Sequence, residues 1–146
     1  GTTSYAHPAG RKAVFVGDLV DRGPRVLDVV RIVRNMVRDG SALCVPGNHD
    51  IKLLKKLRGR DVSITHGLAE TLAEIDAVPS EIREPFTRSL AEFLDGLVGH
   101  FVLDGGNLVV AHAGLKQDMH GRASARVRDF ELYGDMSSRM MSLVAE

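Results

Sequence analysis

The chain has 146 residues, about one domain's length and enough to bury a core, and its 19 basic and 19 acidic side chains give a formal net charge of zero. That balance leaves no global basic field for nucleic acid. A single cysteine, Cys44, excludes a disulfide framework and a thiolate zinc cluster, and the absence of a signal peptide or a run of about 18 apolar residues points to a soluble cytoplasmic protein with no membrane partner.

Residues 12–16 form a short β-branched and aromatic run that ends at Gly17, and residues 41–45 form a second one that ends at Pro46-Gly47. Cys44 falls in the second run and reads as a small core residue. Between these strands, residues 24–39 place Val26, Leu27, Val30, Val33 and Val37 on one helical face, with Pro24 suited to the first helical position and Gly40 to the residue just past the end. Strand, loop, helix, strand and loop imply two parallel strands whose carboxyl ends share one edge, where open α/β folds bind ligands. Further on, residues 66–75 and 80–97 carry apolar residues at helical spacing and are separated by Pro79. Residues 101–103 and 108–111 flank Asp104-Gly105-Gly106-Asn107 and read as a β-hairpin whose second strand delivers His112-Ala113-Gly114. The fold class is thus α/β, with a helical insertion around residues 51–97.

Two loops carry the chemistry: Gly17-Asp18-Leu19-Val20-Asp21-Arg22-Gly23 after the first strand, and Gly47-Asn48-His49-Asp50 after the second. A pair of divalent ions needs oxygen and imidazole ligands and a carboxylate able to bridge them, for which Asp18 is the candidate. Asn48 offers a carbonyl oxygen and the strand-terminal His112 a ring nitrogen. His49, next to a ligand, can face substrate and protonate a departing alkoxide. Asp21 can hold His49 charged and oriented, and Arg22 presents a planar fork of donors to phosphate oxygens. Either motif alone would be a mere turn; their order, each after an apolar strand, makes coincidence improbable.

Together GDLVDRG, GNHD and the strand-terminal His-Ala-Gly resemble the calcineurin-like metallophosphoesterases, the branch that includes serine/threonine phosphoprotein phosphatases and diadenosine tetraphosphate hydrolases. The resemblance implies a sandwich of sheets flanked by helices, two divalent ions (manganese or nickel), and metal ligands at Asp18, Asn48 and His112. It also implies catalytic roles for His49, Asp21 and Arg22, with Arg22 as the substrate phosphate clamp. A narrower resemblance, to the central phosphatase domain of bacterial polynucleotide kinase-phosphatase, rests on three segments. These are His66-Gly67-Leu68-Ala69-Glu70-Thr71-Leu72, Val102-Leu103-Asp104-Gly105-Gly106 leading to His112, and Gly121-Arg122 with Arg126-Val127-Arg128 before Leu132-Tyr133-Gly134. That resemblance implies removal of 3' or 2' phosphate, or 2',3'-cyclic phosphate, from RNA ends in RNA repair. Kinase and ligase-like adenylyltransferase domains would flank the chain, and an RNA methyltransferase would be a partner. The alternatives are a serine/threonine phosphoprotein phosphatase or diadenosine tetraphosphate hydrolase, and, from another class, a non-catalytic binding module.

The departures from the family pattern are specific. Its opening Asp-x-His motif and its late Gly-His motif are missing, since Gly99-His100 precedes His112 and falls in the wrong order. Residues 1–146 therefore read as one partial phosphatase domain, incomplete at both ends, an internal fragment expected to bind metal poorly and hydrolyse little. Lys52, Lys55, Lys56, Arg58 and Arg60 read as a solvated helix face, and Arg122, Arg126 and Arg128 as a second basic cluster that a polyanion could use. His66 reads as a helix-end or surface residue, and His7, His100 and His120 receive no role.

Overall fold

The computed structural model describes residues 5–135. Strand β1 (Ala13–Phe15) pairs in parallel with β2 (Ala42–Cys44), Ala13 opposite Ala42 and Phe15 opposite Cys44, and helix α1 (Val26–Arg38) connects them. The apolar stripe read from the sequence is the one that packs: Val26, Val30 and Val33 are buried, and Leu27 and Val37 lie partly buried against the same core. The helix stops as expected at Gly40, whose φ of 72° lets its amide reach the Val37 carbonyl (3.1 Å) while the Ser41 amide reaches Met36 (2.9 Å). This is the double bond of a Schellman stop.

The start of α1 differs from expectation. Pro24 lies outside the helix, and Arg25 precedes it in the left-handed region with φ 62°. The cap comes from elsewhere in the chain: the amides of Val26 and Leu27 donate to the two oxygens of Glu74, at 3.0 and 3.1 Å. A carboxylate there satisfies orphan donors and complements the positive end of the helix dipole.

Three helices follow, α2 (Asn48–Leu57), α3 (Leu68–Asp76) and α4 (Ser80–Asp95), then the antiparallel hairpin β3 (His100–Leu103) and β4 (Leu108–Ala111), and finally α5 (Ala125–Tyr133). The segment 47–50 is therefore a helix start rather than a free loop, with Asn48, His49 and Asp50 forming the first turn of α2. Helix α5 has no counterpart in the sequence reading, because its apolar residues do not segregate to one face. The hairpin turn is as read, with Asp104 and Gly105 both at positive φ (49° and 62°). No helix among the described residues is long and apolar enough to cross a membrane.

The core lies where α1, α2, α3 and α4 meet behind β1 and β2. Leu53, Leu54, Leu68, Ile75, Leu90 and Leu94 join Val20, Val26, Val33 and Cys44 there. Cys44 is the small core residue expected, and burial pushes its thiol up to about 12, well outside the range in which it would ionise. Leu53, on the helix that carries Asn48 and His49, is fully buried and ties that helix to the core. Leu53→Ala is expected to lower stability by about 2–5 kcal/mol in urea unfolding; a loss under about 1 kcal/mol would show that α2 is not anchored through this side chain.

Candidate active site

The two motif loops touch. A Cβ built on Gly17 would fall on the backbone of Gly47, and one built on Gly47 would fall on the Asp18 carboxylate. Glycine at both positions follows from that approach, and Gly17 also sits at φ 84°. Asp18 and Asp21 are themselves left-handed, with φ of 55° and 75°. Non-glycine residues held there cost of order 1–3 kcal/mol each and persist only where the surroundings over-determine them.

Asp50 is what over-determines the first loop. Its side chain is fully buried, and it accepts the amides of Gly47 (2.8 Å) and Asp18 (2.8 Å) on Oδ2 and that of Leu19 (2.9 Å) on Oδ1. One carboxylate thereby joins both loops. Burial pushes its carboxyl up to about 6, against the opposite pull of the three amides. The sequence reading gave Asp50 no role, although an acid three residues after a helix-capping position is a known signal for a side chain that reaches back to the cap amide.

Asp18, Asn48 and His112 come together as expected. His112, just past β4, places Nδ1 at 2.6 Å from the Val16 carbonyl oxygen. A carbonyl only accepts, so Nδ1 carries a proton, and the ring then places Nε2 3.1 Å from Asn48 Oδ1 and 3.7 Å from Asp18 Oδ1. A carboxylate oxygen, an amide oxygen and a ring nitrogen thus converge, and with Nε2 unprotonated all three would offer lone pairs to a divalent cation. Oxygen and imidazole donors of this kind suit such an ion. The set fits one metal; among the described residues no group of three or more His, Cys, Asp or Glu side chains could hold another.

Beside these donors, His49 Nδ1 lies 2.8 Å from Asp21 Oδ2, in a pair that is 9% and 0% exposed at the side chains. The His49 amide donates to Asp18 Oδ1 at 3.2 Å, so the imidazole is anchored next to the carboxylate read as the bridge. Arg22 is exposed and makes no hydrogen bond or ion pair among the described residues, which leaves its guanidinium available to an anion. The remaining histidines lie apart: His66 is exposed at φ 59°, and His100 Nδ1 is 2.5 Å from Glu131 Oε1 while Nε2 accepts the Gly121 amide. Of the basic clusters, Lys52 donates to Thr65 and Arg58 pairs with Asp95, as expected of a solvated helix face. A surface depression of about 780 Å³, lined in part by Arg122 and Arg128, contains none of the motif residues.

Asp50→Asn would present an NH2 group to at least one of three buried amides. The expected loss is about 1–3 kcal/mol of stability in urea unfolding, the size of an unsatisfied buried donor. Unchanged stability would show that the loops hold without this carboxylate.

A family model described as calcineurin-like phosphoesterase matches residues 4–136. The chain is 46% identical over 131 residues to the bis(5'-nucleosyl)-tetraphosphatase PrpE (asymmetrical) of Geobacillus thermodenitrificans, covering 90% of this chain and 54% of that protein. It is 42% identical over 134 residues to the protein of the same name from Halalkalibacterium halodurans, covering 92% and 54%, and 39% identical over 131 residues to that of Bacillus subtilis, covering 90% and 54%. The chain spans about half the length of the curated relatives it matches. These relatives overturn the narrower resemblance. RNA ends as substrate, kinase and ligase-like neighbours and an RNA methyltransferase partner all rested on likeness to the RNA repair phosphatase, and the similar proteins carry the other name considered, that of a dinucleoside tetraphosphate hydrolase. Members of the wider family typically use two divalent metal ions. By its motifs and by a match over nearly its whole length, the chain belongs to the calcineurin-like phosphoesterases, a family of metal-dependent hydrolases.

Proposed function

We propose that the protein carrying this chain cleaves dinucleoside tetraphosphates asymmetrically, to a nucleoside triphosphate and a nucleoside monophosphate, with residues 1–146 as part of its phosphoesterase domain. The observation that carries the reading is the 46% identity over 131 residues to a tetraphosphatase of that specificity. The loops that such chemistry needs lie inside the matched segment.

In this reading Asp18, Asn48 and His112 would hold one divalent ion, and Asp18 is the carboxylate that would be shared with a second. The mixed oxygen and nitrogen donors favour manganese or nickel over magnesium. Bound there, the ions supply a water of lowered pKa and neutralise charge on the phosphoryl oxygens. The chain's own residues do the rest. Asp21 accepts the Nδ1 proton of His49 and fixes the ring, so the other ring nitrogen is positioned to pass a proton to the departing phosphate oxygen. The unpaired guanidinium of Arg22 clamps phosphoryl oxygens through paired N–H donors. The Asp18 side chain is 37% and the His112 side chain 18% exposed, so both are reachable from solvent.

The test is incubation of the intact protein with diadenosine tetraphosphate and Mn2+, followed by anion-exchange chromatography. ATP and AMP in equal amounts are expected. Two ADP, or phosphate release from a phosphopeptide in place of any nucleotide cleavage, would contradict the proposal. His49→Ala should fold normally and lose about 10²–10⁴-fold in kcat, the usual worth of a positioned acid.

A further inference from the structure

We infer that Thr71, on α3, is a positioning residue for the His49–Asp21 pair, so that the buried line Thr71–Asp21–His49 sets the orientation of the proton donor. The inference deepens the reading of His49 given above and rests on it for its catalytic meaning.

Thr71 is completely buried. Its hydroxyl accepts the Asp21 amide at 2.9 Å and donates to Asp21 Oδ1 at 2.8 Å. One side chain therefore holds both the backbone and the carboxylate of the same aspartate. The other oxygen, Oδ2, is the one paired with His49 Nδ1 at 2.8 Å. With each carboxylate oxygen committed to a different partner, the carboxylate plane cannot turn, and the imidazole that leans on it inherits that orientation.

A helical threonine ordinarily returns its hydroxyl to the carbonyl one turn back. Here the hydroxyl instead points out of the helix to a residue far away in the chain. The rest of α3 is arranged to support this. Gly67, at φ 95°, lies so close to the Asp21 carbonyl that a Cβ would collide with it, and Glu74, one helical turn beyond Thr71, caps α1 through Val26 and Leu27. Asp21 itself is held at φ 75°, a conformation that needs such over-determination. The segment from His66 to Leu72, whose likeness to an RNA repair phosphatase suggested a substrate, is thus the brace of the catalytic loop.

The test compares Thr71→Val, which keeps the shape and removes the hydroxyl, with Thr71→Ser, which keeps the hydroxyl and removes the methyl, in the intact protein. On diadenosine tetraphosphate with Mn2+, the valine variant should lose about 10- to 100-fold in kcat with KM within about twofold, and serine should recover to within about threefold of wild type. In the metal-free protein the downfield His49 Nδ1–H proton resonance should shift or vanish in the valine variant and persist in the serine variant. Wild-type kcat with an unmoved resonance in Thr71→Val, or a serine variant as impaired as valine, would overturn the inference. If valine does not fold, Thr71→Cys, of similar size and a weak donor, takes its place under the same criteria. Failure of the wild-type protein to cleave the tetraphosphate would refute the functional reading instead. The resonance alone would then decide the placement of Thr71.

Discussion

The structure depends on one buried carboxylate. Asp50 gathers the amides of Gly47, Asp18 and Leu19 from two loops whose sequences are far apart, and those loops hold the first two of the three converging donor residues. The parallel pairing of β1 and β2 brings both loops to one edge, and the carboxylate fixes their final approach, because the strands are only three residues long and end before Asp18 and Asn48. Backbone groups are the right partners for such a clamp. They cannot rotate away, and burial forbids water from replacing the carboxylate. The close approach of Gly17 to Gly47 is the steric side of the same constraint.

Two further braces act on the same loop. The Val16 carbonyl orients His112 from one side, fixing which ring nitrogen is free, and α3 acts from the other through Thr71 and Gly67. Asp18 and Asp21, both in a left-handed backbone conformation, are therefore held by partners on three different elements. Strain of this kind suits a site whose donors must stay fixed while substrate and ions come and go. The helices between β2 and β3, which as an insertion could have served only as a lid, are built into the site's foundation.

The motif residues were legible in the sequence because their chemistry restricts residue type: a carboxylate, an amide and an imidazole, each following an apolar strand and bordered by glycine. The stripe of α1 and its stop at Gly40 were legible too, since both depend on local spacing and on one positive φ. What escaped was tertiary. The cap of α1 is Glu74, contributed from α3, so Pro24 looked like the helix start when no local residue was needed. His100 and Glu131 pair across 31 positions and carry no local signature. Thr71 stood out only as part of the segment taken as a mark of RNA repair. The substrate escaped for a related reason: two of the segments taken as marks of RNA repair serve the brace and the hairpin, structural parts of this fold.

The central claim is that Asp18 Oδ1, Asn48 Oδ1 and His112 Nε2 are the donor atoms of one metal position, held in place by Asp50. A crystal of the intact protein grown with Mn2+ and measured at the manganese absorption edge tests it directly. The account predicts an anomalous peak within coordination distance of all three atoms, with His112 Nδ1 still on the Val16 carbonyl. Manganese bound elsewhere, with Asn48 and His112 facing water, would contradict it.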